Sequence, residues 1–219
     1  MNKTVAAILL FAFWAGSSWG VAQESDLSLR TSASVEWKIV KPLELSLSPE
    51  WRLNPSDGSS EWLTEAGLQY KIIKGITVGA SYRLTAVPAA SSAEGSATYS
   101  NRFAFDAAGR YTLGRFTPKA RLRFSNFTDF DESTDDRTNY LRYRIGLEYN
   151  VKGIKLTPYV SAEFYQKLSS GLFSKGRYTL GAEYQLAKHH AVKAEYCFAD
   201  KFSNSTRYHI LEIGYAFSF

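Results

Sequence analysis

From residue 27 to the carboxy terminus, apolar and polar side chains alternate with a period of two, and a helical period is nowhere sustained. Segment 138–149 sets Leu141, Tyr143, Ile145, Leu147 and Tyr149 on one face and Tyr140, Arg142, Arg144, Gly146 and Glu148 on the other. Segment 43–53 does the same with Leu43, Leu45, Leu47 and Trp51 against Glu44, Ser46, Glu50 and Arg52. The pattern predicts strands over 27–39, 43–53, 62–73, 76–86, 99–113, 116–127, 138–149, 154–165, 176–186, 190–199 and 206–219. Most are long enough to cross a bilayer when tilted, which takes about 9–11 residues. Short connections (Val40 to Pro42, Lys74-Gly75, Gly114-Arg115, Asn150 to Gly153, Ala187 to His189) alternate with long ones (54–61, 87–98, 128–137, 166–175, 200–205). Short periplasmic turns and longer external loops are what bacterial barrels show.

Nearly every strand has one apolar and one charged face, so the charges need water while the apolar stripes need a different solvent. A barrel with a polar lumen and a lipid-facing exterior meets both demands and leaves no open edge in the lipid. The expected fold is therefore all-β: a transmembrane, antiparallel, up-and-down barrel of 10–12 strands. Eleven segments sit awkwardly with the usual even strand number. Either 27–39 lies outside the wall, leaving ten, or one strand is missed, giving twelve. Aromatics end the apolar stripes at two levels. Trp37, Tyr70, Tyr111, Tyr149, Tyr184 and Phe219 lie near the short turns; Trp51, Tyr82, Phe124, Phe164 and Phe198 lie near the long loops. Two such rings match interfacial girdles.

Both ends agree with export to an outer membrane. The last residues, Glu212-Ile213-Gly214-Tyr215-Ala216-Phe217-Ser218-Phe219, resemble the assembly signal of bacterial outer-membrane barrels, with Gly214, Phe217 and Phe219 as its defining positions. At the other end, Lys3, an apolar run from Val5 to Trp14 and the small-x-small site Gly20-Val21-Ala22 predict a signal peptide over 1–22, cleaved before Gln23. The remaining 23–219 is expected to form one barrel domain, monomeric, in a Gram-negative outer membrane. No run of 18 apolar residues occurs, so helical spans are excluded. The mean hydropathy of -0.25 does not argue against a barrel, because lumen and lipid residues cancel in the average. The net charge of +5 is too small to indicate nucleic-acid binding, and the single Cys197 excludes an internal disulfide.

The chain as a whole resembles an uncharacterised family of small bacterial outer-membrane β-barrels, grouped only as a domain of unknown function. The resemblance rests on Leu68-x-Tyr70, Tyr82-Arg83, Asn101-Arg102-Phe103, Arg121-x-Arg123 and Tyr140-Leu141-Arg142-Tyr143-Arg144. The Arg-x-Arg strands and Thr206-Arg207-Tyr208 are also similar to oligogalacturonate-specific porins, which implies a twelve-stranded, porin-like channel for acidic oligosaccharides.

Assigned by alternation, the lumen holds Arg83, Arg102, Arg110, Arg121, Arg123, Arg142 and Arg144 on four adjacent strands. Its acids, Glu36, Glu44, Glu50, Glu65, Glu148, Glu163, Glu183, Glu195 and Glu212, lie mostly on the remaining strands, with Asp106 the main exception. A basic wall thus faces an acidic one, of which Glu148, Glu163, Glu183, Glu195 and Glu212 are the core. If the lumen is narrow, the walls neutralise each other as a salt-bridged plug, and the barrel serves a structural or interaction role. If it stays wet, the Arg wall is the selectivity element of a pore for small anionic solutes.

Catalysis is not expected. His189 and His190 fall at a short turn, where they are expected to be solvated. His209 faces outward near the loop rim, where a lipid-modifying enzyme needs its base, but its same-face neighbour is Leu211 and the nearby hydroxyls, Ser203 and Ser205, lack an acid partner. The acidic loop Asp129 to Asp136 lacks the spacing and turn glycine of a calcium loop, so no metal is expected. Cys197 reads as a small buried filler. No cofactor is implied. The expected partners are outer-membrane lipids, the barrel assembly machinery and small anionic solutes, with no nucleic acid.

Overall fold

A computed structural model describes residues 25–91, 96–126, 139–202 and 206–219. The expected signal segment 1–22, the acidic loop 129–136 and Ser203 and Ser205 lie outside the described residues. Among the described residues, eleven strands follow in chain order: β1 (Ser25–Val40), β2 (Leu43–Leu53), β3 (Ser60–Ile73), β4 (Ile76–Val87), β5 (Thr98–Arg110), β6 (Phe116–Ser125), β7 (Tyr140–Tyr149), β8 (Leu156–Lys167), β9 (Phe173–Ala187), β10 (His190–Lys201) and β11 (Arg207–Ser218). Each pairs antiparallel with its neighbour, and β1 pairs with β11 to close the barrel.

The strand count corrects the sequence expectation of ten or twelve. Residues 27–39 belong to the wall, and closure needs no twelfth strand. With strands alternating in direction, an odd set leaves the first and last pointing the same way, so β1 and β11 pair in parallel, from Ser25↔Arg207 to Glu36↔Ser218. Parallel ladders are slightly weaker per residue, and side chains reinforce this one on both faces. On the lumen side the Ser32 hydroxyl donates to Glu212 at 3.1 Å. Outside, Trp37 stacks on Phe219 at 5.9 Å, and the Phe219 amide donates to the Glu36 carbonyl at 2.9 Å.

The wall turns its apolar stripe outward. Ile145 and Ile213 are 63% and 66% exposed, and Leu45, Leu68, Leu122, Val160 and Leu180 share that face. So much contiguous apolar surface is unstable in water and matched in hydrocarbon. At the loop rim the outward aromatics touch in series: Trp51 with Trp62 (6.1 Å), Tyr82 with Phe103 (4.9 Å), Phe164 with Tyr178 (6.1 Å) and Tyr178 with Phe198 (6.4 Å). At the other rim Phe116 packs on Tyr149 at 4.9 Å.

The contrast in loop length is weaker than the alternation predicts. β5 ends at Arg110, so its turn lengthens to 111–115, where Leu113 bridges Phe116. β9 starts at Phe173, which shortens the expected loop 166–175 to 168–172. Phe173 packs on Tyr143 (6.1 Å) and Phe164 (6.3 Å), and a bulge at Tyr165/Gln166 absorbs the shift in register. The loop end is the rim where β1 begins, and the turn end is the rim where β11 finishes.

Candidate functional site: the lumen

Strand register decides which lumen side chains meet. It sets arginine beside arginine across neighbouring strands: Arg30↔Arg52, Arg83↔Arg102, Arg121↔Arg144 and Arg123↔Arg142. Like charges directly opposite repel. In the loop half of the lumen, carboxylates one step away relieve them. Glu65 accepts from Arg83 Nε at 2.8 Å and from Arg102 Nη2 at 3.0 Å. Glu50 accepts from Arg52 Nε at 2.6 Å and lies 3.6 Å from Arg30 Nη1. Glu163 accepts from Arg121 Nη2 at 2.8 Å and Arg142 Nη2 at 3.2 Å. Asp106 accepts from Nε and Nη2 of Arg123, one edge of the guanidinium, at 2.5 and 2.8 Å. A planar guanidinium suits such shared, charge-assisted bonds better than an ammonium.

Tyr165 stands at the centre of this layer with no solvent exposure. Arg142 Cζ lies 4.5 Å and Lys175 Nζ 4.2 Å from its ring centroid, a pair of cation–π contacts. Arg177 Nη1 donates to its hydroxyl at 3.1 Å, the hydroxyl donates to Glu163 at 3.3 Å, and Tyr140 packs edge-on at 6.4 Å. Arg142 and Glu163 are 4% and 5% exposed. Cys197 and Ile210 fill the neighbouring part of the lumen against Tyr208, so Cys197 is the buried filler expected. The loop half is therefore a packed layer of ions and rings.

The turn half is hollow. A cavity of about 700 Å³ opens there, bounded by Lys38, Lys71, Arg110, Lys119, Arg144 and Glu183 among others. Small lumen residues make the room: Ala108 on β5, and Gly146 and Ser161 on the adjoining strands β7 and β8. Arg144 donates to Ser161 Oγ at 3.2 Å, and Lys119 is ion-paired with Glu148. Tyr159 lies over Gly181, where a β-carbon would meet its ring at 2.6 Å, and donates a short hydrogen bond to Glu195. Lys193 reaches across Gly214 to Glu212 at 2.7 Å.

Among the described residues, the basic and acidic sets expected from sequence meet laterally, as Arg121 and Arg142 do at Glu163. Ion pairs run along the wall, between neighbouring or next-neighbouring strands. The supposed acidic side also carries Arg30, Arg52, Lys175, Arg177 and Lys193, which the wall assignment omitted. Face alone divides the charges; register distributes them. Of the basic set, Arg83, Arg102, Arg121, Arg123 and Arg142 join the packed layer, while Arg110 and Arg144 face the cavity. Of the acids, Glu163 is in the layer, Glu148, Glu183 and Glu195 border the cavity, and Glu212 sits at the seam. Tyr165 was missed. Its signal was an aromatic on the charged face of its strand, a position it shares with Tyr140 and Tyr159.

The histidines are placed by aromatics. His209 Nδ1 lies 2.7 Å from the Tyr196 hydroxyl and packs on Phe198 at 5.6 Å, within the loop-end belt. His189 and His190 are not simply solvated, as the turn position suggested. His189 Nδ1 donates to the Ser218 carbonyl at 2.6 Å, and His190 packs tilted against Phe217 at 4.9 Å with Nδ1 2.5 Å from the Tyr215 hydroxyl. Both clasp the carboxy-terminal segment, whose Phe217 and Phe219 point outward while Gly214 points into the lumen. In the first loop, bonds from Ser59 hold the Asp57 carboxyl below its usual range.

No curated protein matches the chain. Among solved structures it is similar to OmpT of Vibrio cholerae, described as outer-membrane expressed (16% identity, TM-score 0.37, 72% of this chain and 53% of that one). It is also similar to the toluene transporter TodX of Pseudomonas putida (13%, 0.44, 74% and 61%) and the beta domain of the Bordetella autotransporter BrkA (17%, 0.45, 84% and 86%). The chain thus spans about half of OmpT and about three-fifths of TodX, and likeness this distant transfers no activity. Residues 28–209 match a family profile, and the chain belongs to that family, described as protein of unknown function (DUF2490).

Proposed function

We propose that this chain is an integral barrel of the bacterial outer membrane whose lumen is closed in its loop half, so that it acts as a structural or interaction element and not as a conduit. The turn end then faces the periplasm and the loop end the exterior. The observation that carries this reading is the layer around Tyr165, in which Arg142, Glu163 and Lys175 are each no more than 5% exposed. Ions packed this tightly hold one another in place, because removing any one strands its partner in a poorly solvated site. The apolar outer face and its aromatic belts support the membrane assignment.

The hollow turn half favours a second reading: a narrow, anion-preferring pore that conducts when the layer rearranges. Conductance of refolded 23–219 in a planar bilayer under a salt gradient separates the two. A folded barrel that stays silent is expected. Steady anion-selective openings overturn closure and make Arg142 and Arg144 the first targets. Closure also predicts that Arg142→Ala costs stability through Glu163, whereas Arg144→Ala, which gives up a bond to Ser161, costs much less.

A further inference from the structure

The turn-half cavity asks for an occupant of its own. At about 700 Å³ it falls within the size range of small-molecule sites, and its lining is polar and charged. Its lining cations fall into two groups. Lys119 and Arg121 are engaged with Glu148 and Glu163. Arg110 and Arg144 have no carboxylate within 4 Å among the described residues, and Lys71 stands near Arg110 at the same mouth. The register explains the grouping. Arg110 pairs with Lys119 and Arg121 with Arg144, so four cations frame the small residues Ala108 and Gly146 on three adjacent strands. In the loop half every comparable arginine rung has a carboxylate beside it. Here Arg121 draws on Glu163, which it shares with Arg142, and on Asp106 at 4.0 Å, while its rung partner Arg144 faces the cavity with no ion pair among the described residues.

We propose that this vestibule is a binding site for a small polyanion, one carrying two or more carboxylate or phosphate groups, which enters from the turn end and docks on Arg110 and Arg144. The polyanion supplies the acceptors that protein carboxylates supply in the loop half. Arg144 offers its remaining guanidinium edge, and Arg110 adds charge at the mouth. Glu44, Glu148, Glu183 and Glu195 border the cavity as well, so a single small monoanion gains little, and an anion long enough to reach several of the framing cations gains most. That the site is blind rests on the closure proposed above; binding itself does not.

The test is calorimetric titration of refolded 23–219, in zwitterionic detergent at low ionic strength, with tripolyphosphate and with citrate. Saturable one-to-one binding of either is expected, and the ratio of the two affinities distinguishes phosphate from carboxylate recognition. Arg110→Gln and Arg144→Gln should each weaken it about tenfold and together about a hundredfold, while Lys167→Gln at the loop end should leave it unchanged. Raising the salt should weaken it further. Absence of saturable binding by both anions, or binding indifferent to both substitutions, overturns the proposal. Heat-shifted mobility on gels identifies variants that are folded, and only these are titrated. Bilayer conductance is read separately: current with binding overturns closure alone, and silence without binding overturns the site alone.

Discussion

In the loop half of the lumen, Arg142, Glu163 and Tyr165 are at most 5% exposed; in the turn half, Arg110, Lys119 and Glu183 stand open around about 700 Å³ of space. Both halves lie inside the same eleven strands, whose number and stagger fix the interior width. What differs is side-chain volume at matching lumen positions. Going toward the turn end, β7 passes from Tyr140 and Arg142 to Gly146, and β5 passes from Arg102 to Ala108. A barrel of one width is thus plugged or hollow at each level according to whether its lumen positions hold rings and guanidinium groups or glycine and alanine. The ions follow the same division. Packed ones require partners, and open ones remain available to a ligand.

The comparison is sharpest once each half is assigned a side of the membrane. Because the strand number is odd, the amino end of β1 and the carboxy end of β11 lie at opposite rims. An epitope tag inserted after Gln23 should be reached by antibody on intact cells, and one appended to Phe219 should be reached only after the membrane is opened. The effect is all or none. Both tags on one side would mean an even strand number and would break the closure by β1 and β11.

Next in size is the energetic difference between the halves. Glu163→Ala leaves Arg121 and Arg142 without their shared acceptor in a buried layer, at an expected cost of about 3–5 kcal/mol. Glu183→Ala, at an exposed position bordering the cavity, should change stability by no more than about 0.5 kcal/mol. Urea midpoints of the two variants in lipid vesicles check this. Equal losses would show that the lumen is one network, with no boundary between plug and vestibule.

The strands were legible in the sequence because every one has its two faces in different solvents, which keeps the period-two signal clean from Leu27 to Phe219. Their ends were less so. The early start of β9 depends on Phe173 meeting Phe164 and Tyr143, contacts between segments that no local pattern contains. In the candidate site, alternation correctly turned the arginines and glutamates inward. It does not give the axial register between strands, and register is what sets Arg83 beside Arg102 and lets Glu65 serve both. Reading charge by strand therefore produced two opposed walls where the protein has lateral clusters. Tyr165 was overlooked for a related reason. Its parity sets it on the face of Glu163, but its role comes from cations that the register brings around its ring.

The smallest expected effect lies at the parallel seam. Gly214 belongs to the carboxy-terminal pattern that resembles an assembly signal, yet its position has a local reason that concerns the lumen. A β-carbon there would lie 2.8 Å from Lys193 Cγ and 2.8 Å from Ser32 Oγ. Lys193 crosses that spot to reach Glu212, which also accepts from Ser32 across the parallel seam. Gly214→Ala should push the lysine stem aside and cost about 1 kcal/mol. Lys193→Ala removes the stem and leaves only the Ser32 hydroxyl to turn aside, so the alanine should then cost less, and the two substitutions should couple by about 0.5–1 kcal/mol in a double-mutant cycle. Strictly additive losses would mean that the glycine is needed for the backbone or for assembly and not to make room for the Lys193 stem.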